Sequence, residues 1–585
     1  MNALDLTLDM NKVPFSRAES WLAVSLWEPG QKGTPDGLWL RHIYGGQHIH
    51  MFRFVPQVGG RSVPARIAAC PHCLTFSAEA GRIEIVMPEP NTIRVRGRGL
   101  GLRLESAPEP LKRRTILIPA EGVRWRCIMD TAKILLTPIK GAMDVVADWG
   151  PAGGVRGRPH RTEPSRIDWG GAGEEWEFQI NAYESEIDPP EIADSFDRAR
   201  ERAAADYLAW YERCPSVPER YAEARALAAY VAWSAVVPAA GHFSEPAMLM
   251  SKNGMLSAWN WDNCINAWAG AYRDPSFAWN QFMLHLSHQH GTGALPDGIN
   301  EQKVWWSYAK PPVHGWILRR MMEAADTIGL DHARHVYEPL CRATEWWFRY
   351  RDDDRDGICQ YHHGNDSGWD DATAFNAGCP AEAPDLNALL VLQMEVLGDL
   401  ADLLDRPEEA AAWRKRSSDM LTRFLAHSWR DGQFATLTSG THFAATGCDS
   451  LLNYMPLILG RRLPETVRRD MIAGLTRPGR FVTEWGLASE SVNSPEYLSQ
   501  GYWRGSIWSP PMLFVADGLR DMGETDLAAD LCERFCRLTA THGFGECHDA
   551  LSGEMHYDPA YTWSASVFLL LAHLHLADAP GRAVG

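Results

Sequence analysis

Two glycine-punctuated stretches carry acidic side chains in settings suited to proton transfer. His363-Gly-Asn-Asp-Ser-Gly-Trp-Asp-Asp-Ala-Thr373 holds Asp366, Asp370 and Asp371, and its glycines let backbone come close to a ligand. Asp370 follows Trp369 directly. An apolar neighbour desolvates a carboxylate, disfavours its charged form and prepares it to act as a general acid. Gly543-Phe-Gly-Glu-Cys-His-Asp-Ala-Leu-Ser-Gly-Glu554 sets Glu546 in a similar loop, ahead of His556-Tyr-Asp-Pro559 and an apolar helix containing Trp563. Hydrolysis of a glycosidic bond needs two carboxyl groups: one protonates the leaving oxygen, the other activates water or attacks directly. Asp370 and Glu546 lie 546 − 370 = 176 positions apart, so a site using both must be assembled from different loops. Taken singly, each loop is equally well explained by helix N-caps or a solvated turn.

Aromatic residues are concentrated near these stretches. The chain has 25 tryptophans, and an indole offers a flat face for a sugar ring plus one N–H donor. Ala258-Trp-Asn-Trp-Asp-Asn263 places Asp262 beside Trp259 and Trp261. Tyr502-Trp-Arg-Gly-Ser-Ile-Trp508 combines aromatic surface with a guanidinium able to grip a hydroxyl or a carboxylate. Core packing, with Arg504 paired to an acid, is the competing explanation.

Two further clusters suggest metal or redox chemistry. Asp352-Asp-Asp-Arg-Asp-Gly357 sets Asp352, Asp354 and Asp356 at positions one, three and five before a glycine, as calcium loops do. Position twelve is His363, so an EF-hand is excluded, and the alternatives are a structural Ca²⁺ and a solvated acidic turn. Cys70-Pro-His-Cys73 has redox-pair or half-zinc-site spacing. No second Cys pair completes a zinc site and no βαβ pattern surrounds it, so it reads as a turn between strands. His362 and His363 sit where they would line a pocket mouth or pack at the surface.

The elements that must position these residues fall into two regions. Through residue 187, alternating runs such as Arg82-Ile-Glu-Ile-Val-Met87, Thr92-Ile-Arg-Val-Arg96, Thr115-Ile-Leu-Ile118 and Trp176-Glu-Phe-Gln-Ile180 predict an antiparallel β-sandwich. The Gly/Pro/Arg-rich stretch from Gly150 to Gly173 reads as a long loop between strands. Residues 188–585 switch to helical periodicity, which Asp188-Pro-Pro is expected to open. About a dozen amphipathic segments follow, at 218–238, 312–328, 332–349, 384–404, 407–426, 511–521, 525–539 and 562–577 among others. The chemistry-bearing residues lie in the long connections. That count and placement suit a toroid of six inner and six outer helices.

Composition narrows the function. With 585 residues, more than one domain is expected. A net charge of −17 disfavours a grip on nucleic acid or anionic lipid. No apolar run approaches the roughly 20 residues of a membrane span, and the acidic start lacks the pattern of a signal peptide. Twelve scattered cysteines look like reduced thiols, so a cytoplasmic setting is expected.

Five pieces then occur in order: Trp259-Asn-Trp-Asp262, Lys310-Pro-Pro-Val-His-Gly-Trp316, Asn365-Asp-Ser-Gly-Trp-Asp370, Tyr502-Trp-Arg-Gly-Ser-Ile-Trp508, and Glu546 ahead of Ser552-Gly553. Together they resemble glycoside hydrolase family 63 and the related trehalases of family 37, over about residues 200–577. The resemblance implies a mainly α protein, an (α/α)6 barrel behind an N-terminal antiparallel β-sandwich. It also implies inverting cleavage of an α-glycosidic bond by an exo-acting, α-glucosidase-like enzyme. On it, Asp370 is the general acid and Glu546 the general base, the former protonated and the latter ionised near neutral pH. Trp259, Trp261, Asp262, Lys310, Asn365, Trp369, Tyr502, Trp503, Arg504, Gly505 and Trp508 fall at the sugar subsite. Related loops in the family hold calcium, and the chemistry needs no cofactor. Two departures stand out: Asp371 replaces a frequent Asn, and Glu-Cys-His-Asp replaces Glu-Tyr-Tyr-Asn. Relatives release glucose or mannose from varied aglycones, including glycerate, so a small carbohydrate is the expected partner while sugar, linkage and oligomeric state stay open. A sugar isomerase or epimerase would centre on histidines; a non-catalytic carbohydrate-binding protein would need no acid–base pair.

Overall fold

The computed structural model describes residues 2–27, 37–46, 48–106, 116–146, 165–170, 175–188, 190–192 and 194–576. Most of the 150–173 stretch read as a loop lies outside these. The chain divides into two compact units, Met1–Glu212 with Ala229–Leu256, and Arg213–Ala228 with Ser257–Gly585.

In the first unit the alternating runs become strands. Gly81–Glu89 and Thr92–Arg98 pair in antiparallel register, Ile85 opposite Val95, with their apolar side chains buried. They belong to an eight-stranded sheet that also contains Ile116–Pro119, Trp125–Met129, Ala132–Lys140 and Glu175–Ala182. A second, seven-stranded sheet runs from Leu22–Trp27 through Gly37–His42, Ile49–Val58, Gly101–Glu105 and Arg166–Trp169 to Met143–Val146. Trp169, Trp176 and Phe178 stack between strands. Gly97 lies so close to Trp176 that an added Cβ would stand 2.1 Å from the indole.

The helix expected to open at Asp188 starts later, at Phe196–Arg213. Ser195 supplies the start signal, its Oγ accepting from Arg198 N at 3.3 Å. Phe196 and Ala199 bury against Cys73 and Val86 of the strands. The compact units therefore divide differently from the 187/188 boundary read from periodicity: this helix joins the sheets because that is where its apolar face is covered.

The second unit is built on a closed ring of helices: Asn260–Ala271, His314–Ala324, Pro384–Leu403, Leu451–Arg462, Ser509–Met522 and Thr562–Leu571. Each packs on the next, and the last closes on the first. Several are buried nearly all round, as inner helices must be. Pro275–Ser287, Leu330–Tyr350, Pro407–Ser428, Glu465–Leu475 and Thr525–His542 pack outside them. The fourth inner helix consists of 3₁₀ turns around Pro456, since proline cannot donate to an α-helical ladder. This is the (α/α)6 barrel, and the expected fold class is borne out. Among the described residues no helix is long and apolar enough to cross a membrane.

Candidate active site

The acidic residues and Lys310 of the proposed sugar site share one address: they stand in a connection leading into an inner helix or in its first turn. Asp262 lies in the first turn of Asn260–Ala271, Lys310 just before His314, and Asp370 and Asp371 in the connection to Pro384. Tyr502–Trp508 leads into Ser509, and Glu546 lies in the loop before Thr562.

Contacts join these segments. Tyr561 Oη donates to Asp262 Oδ1 at 3.1 Å, linking the sixth inner helix to the first. Lys310 Nζ donates to the Asn365 carbonyl at 2.6 Å and pairs with Asp297 at 3.0 Å. Trp503 N donates to Asp371 Oδ1 at 2.9 Å, and Tyr502 Oη donates to Glu546 Oε1 at 3.1 Å. The N-terminal ends of five inner helices thus gather at one end of the ring, its mouth, where helix dipoles favour negative charge.

The carboxylates there are strongly perturbed. Burial pushes Glu546 up to about 7; the Tyr502 hydrogen bond opposes this, and the Asp558 and Asp262 charges add to it. Asp262 is likewise pushed up by burial to about 7, against the pull of Lys310. Asp370 is raised by burial, with Lys310 opposing and Asp371 reinforcing. The Asp370 and Glu546 charges both disfavour ionisation of the Tyr502 phenol. The Tyr502 phenol is raised first by burial, then by Glu546, then by Asp370.

One expectation changes. The sequence predicts Glu546 ionised near neutral pH, but its burial leaves it partly protonated there. Asp366, the third acid of the loop, is fully engaged in holding that loop, accepting from the backbone N–H groups of Ala309, His362 and His363.

The aromatic cluster packs as core, with Arg504 paired to an acid, the second of the two explanations the sequence left open. Trp369, Trp503 and Trp508 are each 1% exposed. Trp503 stacks on Trp508 with centroids 3.9 Å apart, Trp369 lies against Trp503 at 4.6 Å, and Trp261 meets both Trp503 and Trp563. Their faces are occupied by one another, so they pack as core and offer no open face to a sugar. Trp259 is only partly buried and packs on Trp305. Arg504 bonds to the Asp371 carbonyl and pairs with Glu496. Gly505 is required by crowding: a Cβ there would stand 2.4 Å from the Leu498 carbonyl.

Sequence reasoning missed Asp297, Tyr561 and Tyr557. Asp297 sits in a Pro-Asp-Gly turn that looks like any other. Tyr557 is 58% exposed and packs edge-on against Tyr502, offering the open aromatic face that the buried tryptophans do not. It lies in the noted His556-Tyr-Asp-Pro559 string. A cavity of about 710 Å³ elsewhere in this unit is lined by Asp517, by Trp316 and Arg320, which both donate to it, and by none of the mouth carboxylates.

Outside the mouth, the Asp352, Asp354 and Asp356 carboxylates come within 4.8 Å of one another. Cys70 and Cys73 face each other across a hairpin turn as free thiols, and burial raises both.

Residues 255–564 match the family described as the mannosylglycerate hydrolase MGH1-like glycoside hydrolase domain. The chain belongs to that family. The resemblance to family 63 is borne out with it. A mannosylglycerate hydrolase from Rubrobacter radiotolerans is 29% identical over 212 residues, 34% of this chain and 46% of that protein; the chain spans about half the length of that curated relative. The crystal structure of a GH63 mannosylglycerate hydrolase from Thermus thermophilus with Tris and D-glycerate aligns with TM-score 0.52 and 21% identity, over 59% of this chain and 98% of that one. A bacterial glucoamylase complexed with acarbose aligns with TM-score 0.64 and 9% identity, over 98% of this chain and 95% of that one. At such identities these two likenesses concern the fold, and the second extends it to the β-rich region of this MGH1-like chain.

Proposed function

We propose that this MGH1-like protein is an inverting, exo-acting α-glycosidase for a small α-glucoside, α-mannoside or related glycoside. Asp370 protonates the departing glycosidic oxygen. Glu546 takes a proton from the water that attacks the anomeric carbon from the opposite side, so the released sugar has the inverted configuration. A base whose pKa lies near the working pH combines availability with proton affinity, which suits Glu546 at about 7. Asp262, Lys310 and Asp297 form the charged floor of the subsite, and Tyr557 supplies an exposed ring at its rim. The observation that carries the reading is that one segment touches both acid-bearing loops: Tyr502 donates to Glu546, and Trp503 N donates to Asp371, the neighbour of Asp370. The scattered cysteines, with no disulfide among the described residues, support a cytoplasmic setting.

The aglycone is tested with α-mannosyl- and α-glucosyl-glycerate beside neutral disaccharides, since the curated relative is a mannosylglycerate hydrolase. Proton NMR of the first-formed sugar should show the β-anomer. Retained configuration refutes the two roles; interconversion without cleavage points to an isomerase; and binding without turnover points to a lectin. Asp370→Asn and Glu546→Gln should each cost several orders of magnitude in kcat with the fold intact.

A further inference from the structure

Next to the acidic Asp352–Gly357 loop lies a second group of side chains that the proposed reaction does not use. Asp356 of the loop, Glu382 of the short strand Ala381–Glu382, His427 near the end of the helix Pro407–Ser428 and His442 after the strand Leu437–Thr438 bring four donor atoms within 4.8 Å of one another. We propose that these four residues bind a divalent transition-metal ion of the zinc class, rather than calcium.

The donor set decides the class. Calcium takes six to eight oxygens, whereas two imidazoles with two carboxylates suit zinc and its neighbours. The spacing agrees as well. Bonds of about 2.0–2.1 Å in a tetrahedron put neighbouring donors about 3.3–3.4 Å apart. In the structure His427 Nδ1 lies 3.5 Å from Asp356 Oδ2, and His442 Nε2 lies 3.7 Å from both Asp356 Oδ2 and Glu382 Oε1. The remaining His427 nitrogen, Nε2, donates to Glu382 Oε2 at 2.7 Å. That bond puts the proton on Nε2 and fixes the tautomer that leaves the Nδ1 lone pair free to ligate.

A separate observation points to a cation here. Glu382 is 0% exposed, and its Oε1, the oxygen facing His442, has no hydrogen-bond partner. A buried carboxylate oxygen left bare is costly unless an ion meets it. Asp354 stands beside the group as a further acidic neighbour, accepting from His442 Nε2 at 3.1 Å and from Gly440 N at 2.8 Å; an ion on His442 replaces that imidazole proton. The ion would tie three connecting segments to the end of the helix Pro407–Ser428. Ala381 bridges to Tyr361, so the tie reaches the loop that carries Asp370.

The test uses the full-length chain stripped with a chelator and titrated calorimetrically with ZnCl₂ and with CaCl₂. One Zn²⁺ should bind per chain, tighter than Ca²⁺, and raise the melting temperature. Co²⁺ should give the intense visible absorption of a four-coordinate site. His427→Gln and His442→Gln should each weaken Zn²⁺ binding by at least about 100-fold, while Asp352→Asn leaves it unchanged. Preference for Ca²⁺, Zn²⁺ affinity indifferent to both histidine variants, or no binding at 100-fold excess would overturn the site. The wild-type Co²⁺ spectrum keeps the test decisive should a variant misfold, because a weak octahedral spectrum also overturns it.

Discussion

The hydrogen bond from Tyr502 to Glu546 makes a quantitative prediction about pH. Burial raises Glu546 to about 7, and the Tyr502 hydroxyl opposes the rise by donating to the ionised form. In Tyr502→Phe the burial stays and the donor goes. A hydrogen bond to a charged group contributes about 1.5–3 kcal/mol, and one pKa unit corresponds to about 1.4 kcal/mol. The Glu546 pKa should therefore climb by about one to two units. A general base works only when ionised, so the limb of the kcat/KM profile near pH 7 moves up by that amount. On its acid side the rate falls about 10–100-fold, and raising the pH recovers much of the loss. The assay is hydrolysis of the best substrate from the panel at pH 5–10, with circular dichroism confirming the fold. A limb that stays in place, or moves to lower pH, refutes Glu546 as the ionising group held by Tyr502. A loss equal at every pH would mean that Tyr502 acts on the sugar instead.

Three further outcomes follow from the same mouth. Glu546 has its folded pKa raised from 4.5 to about 7, so its protonated form is the one the fold favours, and that stability is lost as pH rises through 7. The difference, 7 − 4.5 = 2.5 units, corresponds to about 3 kcal/mol. Glu546→Gln should therefore be more stable than the parent above pH 7 by denaturant titration, while nearly inactive. Lys310→Met leaves Asp297 buried without its cation, which should cost about 3–5 kcal/mol and raise Asp262, Asp297 and Asp370 further; a melting temperature unchanged at pH 8 would contradict this pairing. Gly368→Ala places a Cβ 2.5 Å from the Trp261 indole at φ +71°, so it should displace the neighbouring Asp370 and depress kcat strongly. Wild-type turnover in that variant would show that the loop has slack.

The outer helices are the more legible half of the barrel. Pro407–Ser428 and Thr525–His542 each keep a polar face, so their periodicity marks them. Asn260–Ala271 reads in the sequence as a Trp-rich cluster because Asn260, Asp262, Asn263 and Asn266 interrupt any apolar stripe. All four are buried, and Asn263 and Asn266 bond across to Gln281 and Thr562. Leu451–Arg462 escapes for a different reason, since its Pro456 and 3₁₀ geometry lack a 3.6-residue repeat. At the mouth, Asp370 and Glu546 are legible from glycine-rich settings and motif order. Asp297 is not, because nothing local distinguishes a turn aspartate from one that will meet Lys310.

The amino-acid order alone settled the local matters: which runs alternate, which wind, and which connections carry carboxylates among glycines. These depend on neighbours a few positions away, where backbone preference and side-chain period act directly. Closure of the helical ring decided the rest. It brought five of the helix starts together, turned the indole faces of Trp369, Trp503 and Trp508 onto one another, and set Glu546 where burial rather than sequence context governs its proton. Those outcomes depend on desolvation and on pairings between residues far apart in the chain, such as Asp262 with Tyr561, and no local pattern encodes which distant group will arrive.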